Sequence, residues 1–88
     1  MKINALRKSQ KVSAFRFRSL KDFGALEDFC GELVSQKNSE VRLYVSTEEM
    51  FINILPGDWV ICSAYGEYSV VSPEIFAINY EVIGGVDV

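Results

Sequence analysis

Leu55-Pro56-Gly57-Asp58-Trp59-Val60-Ile61 is the stretch around which the rest of the chain is organised. Pro56 and Gly57 stop one apolar run, Asp58 closes a turn, and Trp59-Val60-Ile61 opens the next run. The pattern predicts a strand-turn-strand joint at the centre of a small sheet. Toward the C-terminus, Trp59 to Ala64 reads as a strand, Tyr65-Gly66 as a second turn and Glu67 to Val71 as a further strand. Ser72-Pro73-Glu74 then combines an N-cap residue, a proline at the first helical position and an acid in the first turn. A short second helix is expected there, running to Asn79, with Ile75 and Phe76 and then Ile78 or Asn79 on its inner side. Tyr80 to Ile83 is the last predicted strand, and Gly84-Gly85 releases a tail.

On the N-terminal side of the joint, Met50, Ile52 and Ile54 share one strand face while Phe51, Asn53 and Leu55 share the other. Both faces are partly apolar, which places this strand centrally. Thr47-Glu48-Glu49 turns the chain back to the strand Val41 to Ser46, and the even spacing of strands and turns predicts an antiparallel meander. Further upstream, Phe23, Leu26, Phe29, Cys30, Leu33 and Val34 recur at helical spacing. Ser19 supplies an N-cap for that helix and Asp22 the reciprocal position of a capping box. Gly24 and Gly31 interrupt the stripe at a cost of about 1 kcal/mol each relative to Ala. They imply either close approach to a strand or a shorter helix. Lys11 to Arg18 alternates Phe15 and Phe17 with Arg16 and Arg18 and reads as the first strand; Met1 to Gln10 has no clear period and reads as a basic lead-in.

The expected fold is therefore α+β. One amphipathic helix packs on a curved antiparallel sheet of four to six strands, with a short second helix near the C-terminus. Residues 11–83 form the domain, 1–10 the lead-in and 84–88 the tail. A chain of 88 residues, 49% hydrophobic and 24% charged, fits a single globular domain with a core just large enough to hold it. Its apolar runs are far shorter than the roughly 20 residues that span a bilayer, and the basic N-terminus lacks the apolar segment of a secretory signal. Cytoplasmic residence and reduced Cys30 and Cys62 are the corresponding expectations.

Charge is distributed asymmetrically. Lys2, Arg7, Lys8, Lys11, Arg16, Arg18 and Lys21 all precede the first acid, Asp22, and no basic residue follows Arg42. Such an arm has the sign needed to meet phosphate; equally, a basic strand beside acidic ones pairs charge across a sheet. Groups for turnover are missing. The absence of histidine removes the commonest general base and metal ligand. Cys30 and Cys62 have no CxxC partner, and Cys30 sits deep in its helical stripe. Glu48 and Glu49 are adjacent, which does not set a carboxylate pair around a scissile bond, and Gly57 and Gly66 are single turn glycines rather than a phosphate loop. The expectation is a protein that is not an enzyme and uses no cofactor or metal. Arg7, Lys8, Lys11, Arg16, Arg18 and Tyr65 are the candidate binding residues. Pro56, Gly57, Asp58, Trp59, Gly66, Pro73 and Phe76 are assigned to turns and core.

Several of these motifs also carry a resemblance. Lys11-Val12-Ser13-Ala14-Phe15-Arg16-Phe17, then Pro56-Gly57-Asp58-Trp59, Gly66-Glu67 and Pro73-Glu74-Ile75-Phe76 before Tyr80-Glu81, together resemble a family of small phage and prophage proteins of unknown function. The likeness extends over residues 11–83. Lys-Val-Ser stands where that family tends to have Lys-Pro-Val, and Ala64-Tyr65 where it often has a basic residue before the glycine. The resemblance implies a non-enzymatic accessory protein that binds a host or phage protein, for instance to inhibit a host defence. A nucleic-acid-binding module built on the basic segment, or a sponge for a small nucleotide with a pocket of aromatics and arginines, are the alternative readings. Exposed sheet edges also favour a homodimer.

Overall fold

The computed structural model describes residues 2–7 and 10–86, and their side chains apart from those of Asn4, Leu6, Arg7, Gln10 and residues 83–86. Among the described residues the fold is α+β, and its strands divide between two antiparallel sheets. The larger sheet contains β1 (Lys2–Arg7), β2 (Gln10–Arg16), β6 (Trp59–Cys62), β7 (Tyr68–Val71) and β8 (Glu81–Val86), in the order β7-β6-β2-β1-β8. The smaller contains β3 (Val34–Lys37), β4 (Glu40–Val45) and β5 (Met50–Ile54), with β4 in the middle. The main helix, α1 (Phe23–Cys30), lies between β2 and β3 in the chain, and α2 (Pro73–Asn79) between β7 and β8.

Residues read as a lead-in turn out to be structural. Lys2–Arg7 is an inner strand, paired on one side with β2 (Ile3 opposite Ala14) and on the other with β8 (Ala5 opposite Val82). Its partner β8 extends through Gly84 and Gly85, which are strand residues and not the start of a tail. The reason is non-local: Ile3 and Ala5 are buried on one face, but an alternation of one isoleucine and one alanine is too faint to show before its neighbours are known.

At Leu55-Pro56-Gly57-Asp58 the chain makes a type II turn, with Pro56 second, Gly57 third at φ +97°, and the Asp58 N–H donating to the Leu55 carbonyl at 2.9 Å. The Asp58 carboxylate accepts from the Leu55 N–H at 2.9 Å and tightens it. The strands on either side do not pair. The turn instead docks on Phe17, which accepts from the Gly57 N–H at 2.7 Å and donates to the Asp58 carbonyl at 2.9 Å. The expected joint at the centre of one sheet is thus a crossing from the small sheet to the large one. Its corollary also changes: β5 is an edge strand rather than a central one, and the outward Phe51 and Leu55 are exposed.

The helical stripe packs as spaced, over a shorter helix. Leu26 and Cys30 are buried, and Phe23, Phe29 and Leu33 pack around them, but α1 stops at Cys30. Gly31 takes φ +66°, a 3-10 turn follows over Gly31–Leu33, and Val34 opens β3. Ser19 caps the entry, its hydroxyl accepting from the Lys21 N–H at 3.3 Å. Asp22 reaches one residue further back than a capping box would, accepting from the Arg18 N–H at 2.9 Å and from its guanidinium at 3.3 Å.

Two buried clusters share the large sheet. On one face Phe15, Phe17 and Val60 meet α1 and the inner side of the small sheet, Val41, Leu43, Val45 and Ile54. On the other, Ile3, Ala5, Val12, Ala14, Trp59 and Ile61 are covered by Phe76 of α2. Trp59-Val60-Ile61 is apolar throughout because alternate residues feed different clusters.

Candidate functional site

Among the described residues, the cationic side chains of β1 and β2 do not form one surface. Lys2, at 5.7 Å over the Phe29 ring, lies on the α1 face of the large sheet, whereas Arg16, at 5.9 Å over the Trp59 ring, lies on the α2 face. Arg18 is committed to Asp22, whose carboxyl burial pushes up but whose bonds to Arg18 hold it below the usual value. Lys11 is exposed at the start of β2. Lys8 and the side chain of Arg7 lie outside the described residues.

Tyr65 occupies the tip of the β6–β7 hairpin and is exposed. The Ser63 hydroxyl accepts from the N–H groups of Tyr65 and Glu67, both at 3.2 Å, and Gly66 at φ +82° completes the turn. Beside the tip runs a cleft of about 390 Å³ bordered by Tyr65, Tyr68, Tyr80, Glu48 and Glu67. Its aromatics are not a cage. The Tyr68 hydroxyl donates to the Phe29 carbonyl at 2.9 Å on one face of the sheet, while Tyr80 stacks on Phe76 at 5.0 Å on the other. Glu48 and Glu67 give the cleft the wrong sign for phosphate, and among the described residues no arginine borders it.

Cys30 is placed as a packing group, whereas Cys62 is half-buried. Cys30 is buried and free, and burial followed by the neighbouring Cys62 pushes its thiol up to about 12. Burial, then contact with Cys62, raises the Tyr68 hydroxyl to about 12 as well. A thiol this reluctant to ionise is a poor nucleophile. Among the described residues no three or more His, Cys, Asp or Glu side chains come together, and no helix is long and apolar enough to cross a membrane.

Among the described residues, α2 presents an apolar surface to solvent. The Ser72 hydroxyl accepts from the Ile75 N–H at 3.2 Å and Pro73 takes the first helical position, so the helix starts at a defined residue. Phe76 then lies flat on Trp59, ring centres 4.0 Å apart and planes within 8°, and Tyr80 extends the stack. Residues four apart share a helix face, so placing Phe76 and Tyr80 inward turns Ile75 and Ile78, three apart, outward. Ile75 is 45% exposed, Ile78 77% and the nearby Val82 57%. Of the expected inner side, Ile75 and Phe76 with Ile78 or Asn79, only Phe76 is buried; Ile75, Ile78 and Asn79 are all exposed. The tertiary partner settles which face turns inward: Phe76 stacked on Trp59, with Tyr80 stacked in turn on Phe76, buries more area than an isoleucine there would. Glu74 and Glu81 are exposed in the same segment.

No protein-family model, no curated protein and no solved structure matches this chain.

Proposed function

We propose that the chain is a non-enzymatic accessory protein of the phage or prophage kind, acting by binding another protein through the outer side of α2. One observation carries the reading: a seven-residue helix that buries Phe76 leaves Ile75 and Ile78 in solvent, where Val82 of the following strand also lies. A short amphipathic helix ordinarily spends its large aliphatic residues on the core, and grouped aliphatics on the outside mark contact surfaces. The Trp59–Phe76–Tyr80 stack anchors the helix on the sheet. Glu74 and Glu81 are exposed in the same segment, and the chain carries no cation after Arg42. The partner that fits is a protein presenting an apolar groove rimmed by lysine or arginine.

The test compares wild-type and Ile78→Lys baits in host lysate. Ile78 is mostly solvent-exposed, so the variant keeps its fold; a contact with hot-spot energetics loses affinity by about tenfold or more. A protein retained by the wild type and depleted on Ile78→Lys supports the reading. Identical retention by both baits refutes it.

A further inference from the structure

We infer that β5 is a self-complementary edge through which two copies of this chain form a dimer, joining their small sheets into one of six strands. The inference concerns a surface separate from α2 and does not depend on the reading above.

β5 ends its sheet, and Met50-Phe51-Ile52-Asn53-Ile54 contains no charged residue, proline or glycine. Unprotected edges of this kind are templates for strand addition, and natural proteins blunt them with lysine, proline or brevity. The opposite edge of the same sheet follows that rule: β3 has four residues, one of them Lys37. On the large sheet, β7 also has four residues, with Glu67 leading into it and Glu48 across the cleft beside it. The remaining edge, β8, is longer at six residues but opens on Glu81 and carries Gly84 and Gly85. Among the described edges, only β5 is thus both longer than four residues and free of charge, proline and glycine. Met50 is 49% exposed although its register partner Val45 is buried, and the outward Phe51 is 51% exposed.

A second copy fits this edge because an antiparallel pair of identical strands is two-fold symmetric. Centring the axis on Ile52 overlaps all five residues: Met50 faces Ile54 of the other copy and Phe51 faces its Asn53. Extended through the intrachain register, the inner face becomes the row Val45-Met50 continuing into the second copy's Ile54-Val41, with Leu43-Ile52 continuing into its own mate. Every member of both rows is aliphatic or methionine, so each half-exposed Met50 gains the cover it lacks in one copy. On the outer face, Tyr44 and Phe51, whose rings are 5.2 Å apart, continue into Asn53 and Arg42 of the mate. Charge allows the same register. Glu48 and Glu49 precede β5 and Asp58 follows it, so the antiparallel arrangement sets Glu49 against Leu55 and brings no two carboxylates face to face. For a chain of net charge −3, this is an edge where two copies approach without opposing like charges.

Sedimentation velocity over a hundredfold concentration range, with circular dichroism to confirm folding, tests the proposal on the full chain. Wild type is expected to pass from 9.9 kDa to twice that mass as concentration rises. Met50→Lys puts a charge opposite Ile54 of the mate, and the dimer dissociation constant is expected to rise by at least about tenfold. Phe51→Lys, at an outward position, is the second variant should Met50→Lys fold poorly. Ile78→Lys, on the separate α2 surface, is expected to leave the dimer unchanged. A wild type that stays monomeric throughout overturns the proposal. So does a dimer that survives both β5 variants, or one abolished by Ile78→Lys.

Discussion

Tyr68 shows what a single side chain can join in this protein. From β7 its hydroxyl reaches across to the Phe29 carbonyl, one of the terminal helix carbonyls that α1 cannot satisfy internally, and its ring meets Phe29 edge-on at 5.8 Å. Removing that hydroxyl in Tyr68→Phe is expected to cost about 1 kcal/mol near neutral pH, read from the urea midpoint. A pH dependence follows from the same neighbourhood. Cys30 and Tyr68 are neutral when protonated, and their values rise on folding from 9.0 and 10.0 to about 12. The unfolded chain therefore releases protons first as pH rises. The contribution of these two groups is fully present below pH 9 and is lost progressively as pH climbs toward 12. Urea midpoints should be level near neutrality and fall through that window, with a shallower fall in Tyr68→Phe. A midpoint that does not change up to pH 11 would contradict the placement of both groups.

Among the elements, the two interior glycines singled out for cost behave differently from one another, and a turn glycine supplies the contrast. Gly24 lies in α1 with nothing within 4 Å of where a Cβ would stand, so no close approach explains it. Gly24→Ala is expected to stabilise the protein by about 0.5 to 1 kcal/mol through helix propensity and a less flexible unfolded chain. Gly31 earns its place as the residue at φ +66° that ends the helix. Gly57 sits at φ +97° with Pro73 Cγ at 3.4 Å from the position of an added Cβ. Gly57→Ala is expected to destabilise by about 1 to 2 kcal/mol, since the crossing turn that carries the chain between sheets needs that backbone. Thermal or urea unfolding of the two variants should move in opposite directions. The strands teach a related lesson. Trp59-Val60-Ile61 and Met50 to Ile54 are both apolar on two faces; the first is buried on both, and the second is an exposed edge. Composition could not separate them, because the same run of side chains suits an inner strand or an interface.

For the whole molecule, the decisive feature is one sheet carrying two cores. Leu26→Ala opens the cluster under α1 and Phe76→Ala the one under α2, each at an expected cost of about 2 to 5 kcal/mol. Since β2 and β6 contribute to both, neither cluster can melt alone. Far-ultraviolet circular dichroism and Trp59 fluorescence should therefore give coincident transitions in both variants. Separate transitions would show that the α2 side folds independently. The cations scattered between opposite faces and the aliphatic ridge of α2 are likewise properties of the assembled molecule, invisible in the chain order that gathers Lys2 to Lys21 into one segment.

Local rules written into the sequence determined the α+β class, the turn at Pro56-Gly57, the hairpin at Gly66, the cap at Ser72 and the stripe that buries Leu26 and Cys30. Each depends on contacts within a few residues: a fixed φ, a hydroxyl near an orphan N–H, a 3.6-residue period. Tertiary structure alone decided that Lys2–Arg7 is an inner strand, that β5 and β6 part into different sheets, and that Ile75 and Ile78 face outward. Those outcomes rest on pairings between distant segments, β1 with β8 above all, and on competition for limited core volume, where Phe76 against Trp59 displaced the isoleucines.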